Sequence, residues 1–505
     1  LRYCRGDALN VIRMTPKPVQ KSARIYTSAN PRGDDIRAKT LDNIRTEAHS
    51  GGKAYVARDS ANTALDVGAV LASDGFKVLT VTATTKDKPE VAAFLKSADR
   101  ESRRYDVVIV SPAVTSGISI EHNGAPHFTL GAFIGSGHSI TPADAMQQIN
   151  RVRYLDRYVM ALGGSNRADG QSRYAILKGQ TDAAEIEGTP AKLSLYDHLR
   201  ASIQAERANA CADFAAGLFW MMERDGWEID VPGDITQSQS RYDLQDAKDA
   251  RESAWHRALM TAEIPDPDTA EMLRRRKLDD RDRARLEAFN IVTTLAVHKV
   301  TQQAIDTWDD GRMAARVARF EDLLDIGVLP PVESQSLIER DGRLARRRLL
   351  RDLFDGIDLT ADFPFTPAMQ DVFIDRIMDR NDALVAVGLL SAKWRSKRTK
   401  AGALNPPVRP TSFGPVLKDI AERLGLRIVE RRERVAQKHA SLYKDIQSDT
   451  FSGHPEKVRV YGIDPESWQM MMDIIDRRAD PPKPWESPTS VEDLTVEEAG
   501  DGILW

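Results

Sequence analysis

Short apolar runs and longer three-to-four-residue periodicities alternate through the first third of the chain, and that alternation predicts its elements. Strand-like runs at residues 9–14 and 23–27 flank the turn-prone Thr15-Pro16-Lys17-Pro18. A helix is expected over 34–49. Strands at 54–57, 77–82 and 106–110 then alternate with helices at 61–73 and 89–97. Further strands are expected at 129–134 and 173–177, with a helix at 142–153 between them. The strands are short, continuously apolar runs, as in a parallel sheet covered by helices on both faces. The fold class of residues 1–189 is therefore α/β and doubly wound.

Past residue 189 the strands give out, and helical patterns rich in Arg, Asp and Ala make 190–400 a mostly helical region. Residues 212–226 form a strongly apolar helix with a stop at Gly226, expected in the core. The charge-dense stretches 274–285 and 343–351 are expected to be solvated helix faces. A basic linker, Lys393-Trp394-Arg395-Ser396-Lys397-Arg398-Thr399-Lys400, leads to a break at Pro406, Pro407 and Pro410. Beyond it a helix (415–424), two strands (426–430 and 457–462) and a helix (465–478) outline a small winged-helix-like α+β module over 411–480. The acidic, Pro-rich tail, 481–505, is expected to be mobile.

Composition narrows the partners. With 505 residues, 41% hydrophobic and 29% charged, the chain can bury several cores and suggests about three domains. Lys and Arg number 71 against 75 Asp and Glu, a formal net charge of -4, so any nucleic-acid contact is confined to patches. The two cysteines, Cys4 and Cys211, support neither a disulfide framework nor a zinc site, and the expected compartment is reducing and cytoplasmic. No apolar run approaches the ~20 residues of a membrane span, no signal peptide opens the chain, and no membrane partner is expected. The first residue is Leu1 rather than Met, which suggests a fragment of a longer protein.

The chemistry concentrates between residues 106 and 155. The strand Asp106-Val-Val-Ile-Val110 runs into Ser111-Pro-Ala-Val-Thr-Ser-Gly-Ile-Ser-Ile120, setting hydroxyls and a flexible glycine at the carboxyl edge of a sheet, where open α/β folds bind ligands. Ser111, Thr115, Ser116 and Ser119 can bond phosphates, and Gly117 permits close backbone approach. On its own this is an ordinary strand-to-loop turn. Next, Asp144 to Arg153 reads as a helix with Ala145, Ile149 and Val152 on its apolar stripe and Gln147 and Arg151 together on the opposite face. A rigid arginine aimed away from a core can stabilise charge on a phosphate held by another lobe; an isolated surface arginine more often makes ordinary ion pairs. No phosphate-gripping loop is present. Gly51-Gly52-Lys53-Ala54 lacks the leading glycine and the hydroxyl, and Gly135-Ser-Gly-His138 is no dinucleotide fingerprint. His122, His127 and His138 lie close in sequence without metal-ligand spacing.

In order and spacing these segments resemble motifs of superfamily 2 helicases. Lys53 to Ser60, a strand opening on a serine, resembles motif IV; Ser111 to Gly117 resembles motif V; Gln147 followed four residues later by Arg151 resembles motif VI. Within that superfamily the sequence is most similar to herpesvirus-type origin-of-replication-binding proteins and their plasmid and phage relatives, through Ser111-Pro112, Gly117, His127-Phe128 and Gln147 to Arg153. The resemblance covers the first third of the chain. It departs at Asn150, where the family has Gly, at Ser111, where it has Thr, and at Tyr154, where the general superfamily has a second Arg.

The resemblance implies a C-terminal RecA-like lobe of an ATP-dependent DNA helicase or replication-initiation protein. Arg151 and Arg153 would reach the ATP γ-phosphate, Gln147 would couple the lobes, and Gly117 and Ser119 would line the nucleotide. Ser60, Ser111, Thr115 and Ser116 would grip DNA, single-stranded or origin duplex. ATP and Mg2+ would be held mainly by a preceding N-terminal lobe, leaving this chain inactive alone. The alternative is a non-catalytic DNA-binding or scaffold protein using Lys393, Arg395, Lys397 and Arg398 with the C-terminal module. There Trp394 either stacks on a base or packs on its own domain.

Overall fold

The computed structural model describes residues 20–28, 33–112, 118–122, 126–137, 139–163, 171–233, 238–327, 336–337, 342–359, 363–364, 367–398, 404–405, 407, 409–410, 414–434 and 457–486. The strand expected at 9–14 and most of the acidic tail lie outside them. The chain divides into two compact units, one of Leu1–Glu252, Val328–Asp355 and Pro367–Asp419, the other of Ser253–Gly327, Gly356–Thr366 and Ile420–Trp505.

The first unit opens β1 (Ser22–Thr27), α1 (Asp34–His49), β2 (Ala54–Arg58), α2 (Ala61–Ser73), β3 (Val78–Val81), α3 (Pro89–Lys96), α4 (Ala98–Glu101) and β4 (Val107–Val110). It continues β5 (Leu130–Gly135), α5 (Pro142–Ile149), β6 (Arg157–Leu162), α6 (Arg173–Glu187), α7 (Leu195–Ala212), α8 (Phe214–Arg224) and β7 (Glu228–Asp230). The seven strands form one sheet in the order β3-β4-β2-β5-β6-β1-β7, parallel at every described pairing. The α/β class expected from the apolar runs is the one observed.

Alternate strand residues serve opposite cores. On one face Ile36, Leu41 and Ile44 of α1 and Ala64, Val67 and Leu71 of α2 cover Val56, Ile109 and Ile134. On the other, Phe94 of α3, Ala145 and Ile149 of α5, and Phe214, Leu218 and Met222 of α8 cover Tyr55, Val108, Phe133 and Met160. The apolar helix expected over 212–226 is thus a core helix, with Trp220 left 60% exposed on its outer side. Thr141 and Asp144 close a reciprocal capping box at the start of α5, with Pro142 in the first turn.

Two expectations are corrected. Residues 173–177, expected as a strand, form the first turns of α6, because their apolar positions continue at helical spacing through Gly179, Ala183 and Ala184, all buried. The strand that completes this part of the sheet is β6, which pairs with both β1 and β5. The helix expected to reach residue 153 stops at Ile149, since Val152 instead pairs in parallel with Ile120.

Helix α9 (Ser240–Met260) follows. The second unit contains α10 (Pro267–Arg275), α11 (Asp280–Leu295), α12 (Gln302–Trp308), α13 (Arg312–Leu323) and β8 (Phe363–Pro364). Helices α14 (Arg343–Leu353) and α15 (Pro367–Ala386) return to the first unit. Arg274 and Arg275 are solvated as expected, whereas Arg346 and Arg347 of α14 are each 8% exposed. Last come α16 (Gly414–Arg423), β9 (Ile428–Arg434), β10 (Lys457–Ile463) and α17 (Pro465–Ala479), the helix-strand-strand-helix order anticipated over 411–480. β9 and β10 pair antiparallel, and β8 flanks β10. Arg478 ties α17 to Glu321 of α13 at 3.0 Å and to the Thr293 carbonyl of α11 at 3.1 Å. Among the described residues no helix is long and apolar enough to cross a membrane.

Candidate functional site

Parallel sheets bind ligands beyond the carboxyl ends of strands whose connections leave toward opposite faces. β2 and its neighbour β5 make such a point, one leading into α2 and the other into α5 across the sheet. Arg58, Asp59 and Ser60 stand there. Asp59, 7% exposed, accepts the N–H groups of Ser136 at 2.6 Å and Gly137 at 3.1 Å, which ties the end of β2 to the end of β5. Ser60 is the N-cap of α2, its hydroxyl accepting from the Thr63 N–H at 3.5 Å. Ser111 follows β4 at the same edge but is 1% exposed, so the phosphate contact expected of it is corrected to a buried structural position. Thr115, Ser116 and Gly117 lie outside the described residues. Sequence reasoning passed over Arg58 and Asp59, although a charged pair directly after an apolar strand run was the available signal.

Ile118 and Ile120 pack against the same face of the sheet as α5. Ile120 donates its N–H to the Arg151 carbonyl at 2.9 Å, and Arg153 donates its own to the Ile120 carbonyl at 3.0 Å. This short ladder brings three predicted residues together. Arg153 Nε donates to Ser119 Oγ at 3.1 Å, and Arg151 Nη1 donates to the Ile118 carbonyl at 3.0 Å. Arg151 is half-buried, Arg153 exposed. Gln147 is exposed on α5, but Arg151 lies beyond the end of that helix, so the shared helical face expected of the two is absent. Its neighbour Gln148 is fully buried, with both carboxamide atoms lacking a partner among the described residues.

The ladder lies toward the amino edge of the sheet. Tyr158, at the start of β6, donates to the Ile149 and Leu155 carbonyls at 3.3 Å, and Lys21, just before β1, donates its ammonium to Asn150 Oδ1 at 2.7 Å. A five-residue strand spans about 17 Å, so the predicted site divides. Ser60 and Ser111 stand at one edge, Ser119, Arg151 and Arg153 near the other. Asn150, the departure from the family's glycine, has a role here as acceptor for Lys21. Burial, and then the Arg153 charge, hold the Lys21 ammonium down to about 8, over the rings of Trp227 and Tyr158. The chemistry of the strip is that of donors and cations, which suits a phosphate oxygen. Among the described residues no group of three His, Cys, Asp or Glu side chains could hold a metal.

The basic linker is largely tied down. Asn381 Nδ2 donates to the Trp394 carbonyl at 2.6 Å, and Asp382 accepts from the Ser396 N–H at 2.8 Å and its hydroxyl at 2.6 Å. Trp394 and Arg395 are 8% and 7% exposed, so neither stacking on a base nor a phosphate contact is open to them. Lys393 and Lys397 are exposed, and the Arg398 backbone joins a short ladder opposite Leu404.

His122 is a buried group of another kind. Its ring Nε2 pairs with Ser102 Oγ at 2.9 Å, and burial, then Arg103 and His127, hold its pKa down to about 4. The unfolded chain, with an ordinary histidine near 6.5, binds more protons between those values, so stability rises with pH through that window. Acidification from pH 7.5 to 4.5 is expected to cost the wild type about 2–3 kcal/mol through this group. Urea unfolding at both pH values checks it. A His122→Gln chain with an undiminished pH slope would show that the loss comes from elsewhere.

Neither a protein-family model nor a curated protein matches this chain.

Proposed function

We propose that this chain supplies the second RecA-like lobe of an ATP-dependent DNA helicase acting in replication initiation of a plasmid, phage or similar element. The observation that carries the reading is the Ile120–Val152 bridge, which seats Ser119, Arg151 and Arg153 on one strip at an edge of a parallel sheet. Arg153, exposed and steadied by the Ser119 hydroxyl, offers its guanidinium to a terminal phosphate presented by a neighbouring lobe. Arg151, fastened to the Ile118 carbonyl, holds the strip in place so that little reorganisation is left when charge develops. Gln147, on the exposed side of α5, meets that neighbouring lobe and couples its movement to this one. ATP with Mg2+, held mainly by the preceding lobe, supplies the free energy for closure and strand translocation. The strand is gripped at the carboxyl edge, by the backbone that follows β4.

The rival reading, a non-catalytic protein binding DNA through its linker, is weakened by the inward-facing Trp394 and Arg395. The test is ATP hydrolysis by the full-length protein, with and without single-stranded DNA. Hydrolysis that rises on adding DNA is expected. A full-length protein that binds DNA yet hydrolyses no ATP would sink the helicase reading in favour of its rival.

A further inference from the structure

β2 ends on a buried guanidinium two of whose nitrogens have no hydrogen-bond partner among the described residues. Arg58 follows Ala54 and Val56 in pointing to the face covered by α1 and α2, and it is 2% exposed. Its Nε and Nη1 are buried and have no hydrogen-bond partner among the described residues. Two carboxylates, Asp59 and Asp66, favour its charged form, yet each is engaged elsewhere. Asp59 accepts the Ser136 and Gly137 N–H groups, and Asp66 holds Arg251 at 2.7 Å. The remaining charged neighbour is another cation, Arg37 of α1, whose own contact with Asp34 is a loose 3.8 Å. Burial first, and Arg37 second, lower the Arg58 pKa to about 9.

A desolvated guanidinium without a partner is among the costlier arrangements a fold can hold. Here it sits at the carboxyl end of the strand where the sheet's connections part, within electrostatic reach of a second guanidinium, with both nearby carboxylates engaged elsewhere. What the arrangement lacks is an anion. We propose that Arg58 and Arg37 bind a small phosphate-bearing ligand, inorganic phosphate or a phosphate monoester, at the carboxyl end of β2. A tetrahedral dianion carries more charge and more acceptor oxygens than a single carboxylate, which suits two guanidinium forks. Only 2% of Arg58 lies at the surface, too little for the backbone of a nucleic-acid strand to reach it. This site is separate from the Arg151–Arg153 strip and does not depend on the helicase reading.

Thermal unfolding of the full chain at constant ionic strength, with sodium phosphate replacing sodium chloride, tests the proposal. The wild-type Tm is expected to rise saturably, by about 3 °C at a hundredfold excess over Kd. Arg58→Met, which removes the unpaired charge and keeps an apolar side chain of similar length, is expected to melt above the wild type in chloride and to ignore phosphate. Arg37→Ala is expected to need about tenfold more phosphate for the same rise. Adenosine monophosphate as a second probe separates the sources. A response to it alone assigns a phosphate monoester, a response to inorganic phosphate alone assigns the free anion, and either supports the site. A wild-type Tm indifferent to both probes, or an Arg58→Met chain that responds as the wild type does, overturns it. Should the Arg58→Met chain fail to fold, calorimetric titration of the wild type and Arg37→Ala with the same probes decides. Binding that weakens in the variant supports the proposal, and equal or absent binding overturns it.

Discussion

On the helicase reading, Arg153→Ala in the full-length protein is expected to lower the kcat of DNA-stimulated ATP hydrolysis by about 10³-fold, the lower end for loss of an arginine that meets a transferring phosphate, while leaving Tm unchanged. The side chain is exposed and makes its one described hydrogen bond to the Ser119 hydroxyl, so its removal uncovers no buried group. Because the contact strengthens as charge develops, the loss falls on kcat more than on KM. Arg151→Ala is expected to lower kcat comparably, but also Tm, since the Ile118 carbonyl loses its donor. Lysine at 151 restores one donor without the planar fork, so it recovers Tm ahead of kcat. If both alanine variants hydrolysed ATP at the wild-type rate, neither arginine would face the nucleotide and the strip would be structural alone.

Gly179→Ala is expected to destabilise the protein by about 2 kcal/mol, although alanine is the better helix former by about 1 kcal/mol. A Cβ at 179 would lie 2.3 Å from the Asp382 carbonyl oxygen and 3.1 Å from the Ala386 methyl, so α6 and α15 cross almost backbone to backbone. The obstructing atom is main chain and cannot rotate aside, so a helix must shift. That shift strains the turn of α15 that holds the linker through Asn381 and Asp382. Gly179→Val, with two further methyl groups, is expected to fare worse. Urea denaturation of the two variants checks the order, and a Gly179→Ala chain more stable than wild type would mean that the crossing is looser than described.

The middle of the α/β sheet was legible because its central strands are short apolar runs bounded by polar residues, from Ala54 to Ala57, from Val107 to Val110 and from Leu130 to Gly135. Residues 157–162 and 173–177 show where that signal fails. Both open on Arg-Tyr and continue apolar, yet the first is β6 and the second begins α6. What separates them is distant: β6 finds a slot between β1 and β5, whereas α6 carries its buried positions on to Ala184 at helical spacing. The same holds for the site. Ser119, Arg151 and Arg153 were identifiable by type, but the Ile120–Val152 pairing that unites them is a contact across more than thirty residues, and it ended the helix on which Gln147 and Arg151 had been placed together. The burial of Trp394 and Arg395 depended on a cap supplied by Asn381 and Asp382, which no pattern within the linker announces.

The position of β1 in the sheet bears on how the chain is made. β1 lies inside, between β6 and β7, with Ser22 bonded across 134 residues to the Asp156 carbonyl and Arg24 across 206 to Asp230. At a translation rate of about 10 residues per second, β1 leaves the ribosome some ten seconds before its first partner and longer still before its second. For that interval Ala23 and Ile25, both buried in the finished sheet, have no strand to lie against. The earliest described strand of this sheet to be synthesised is therefore among the last to be enclosed, and the nascent chain carries it unpaired through all the strands from β2 to β5.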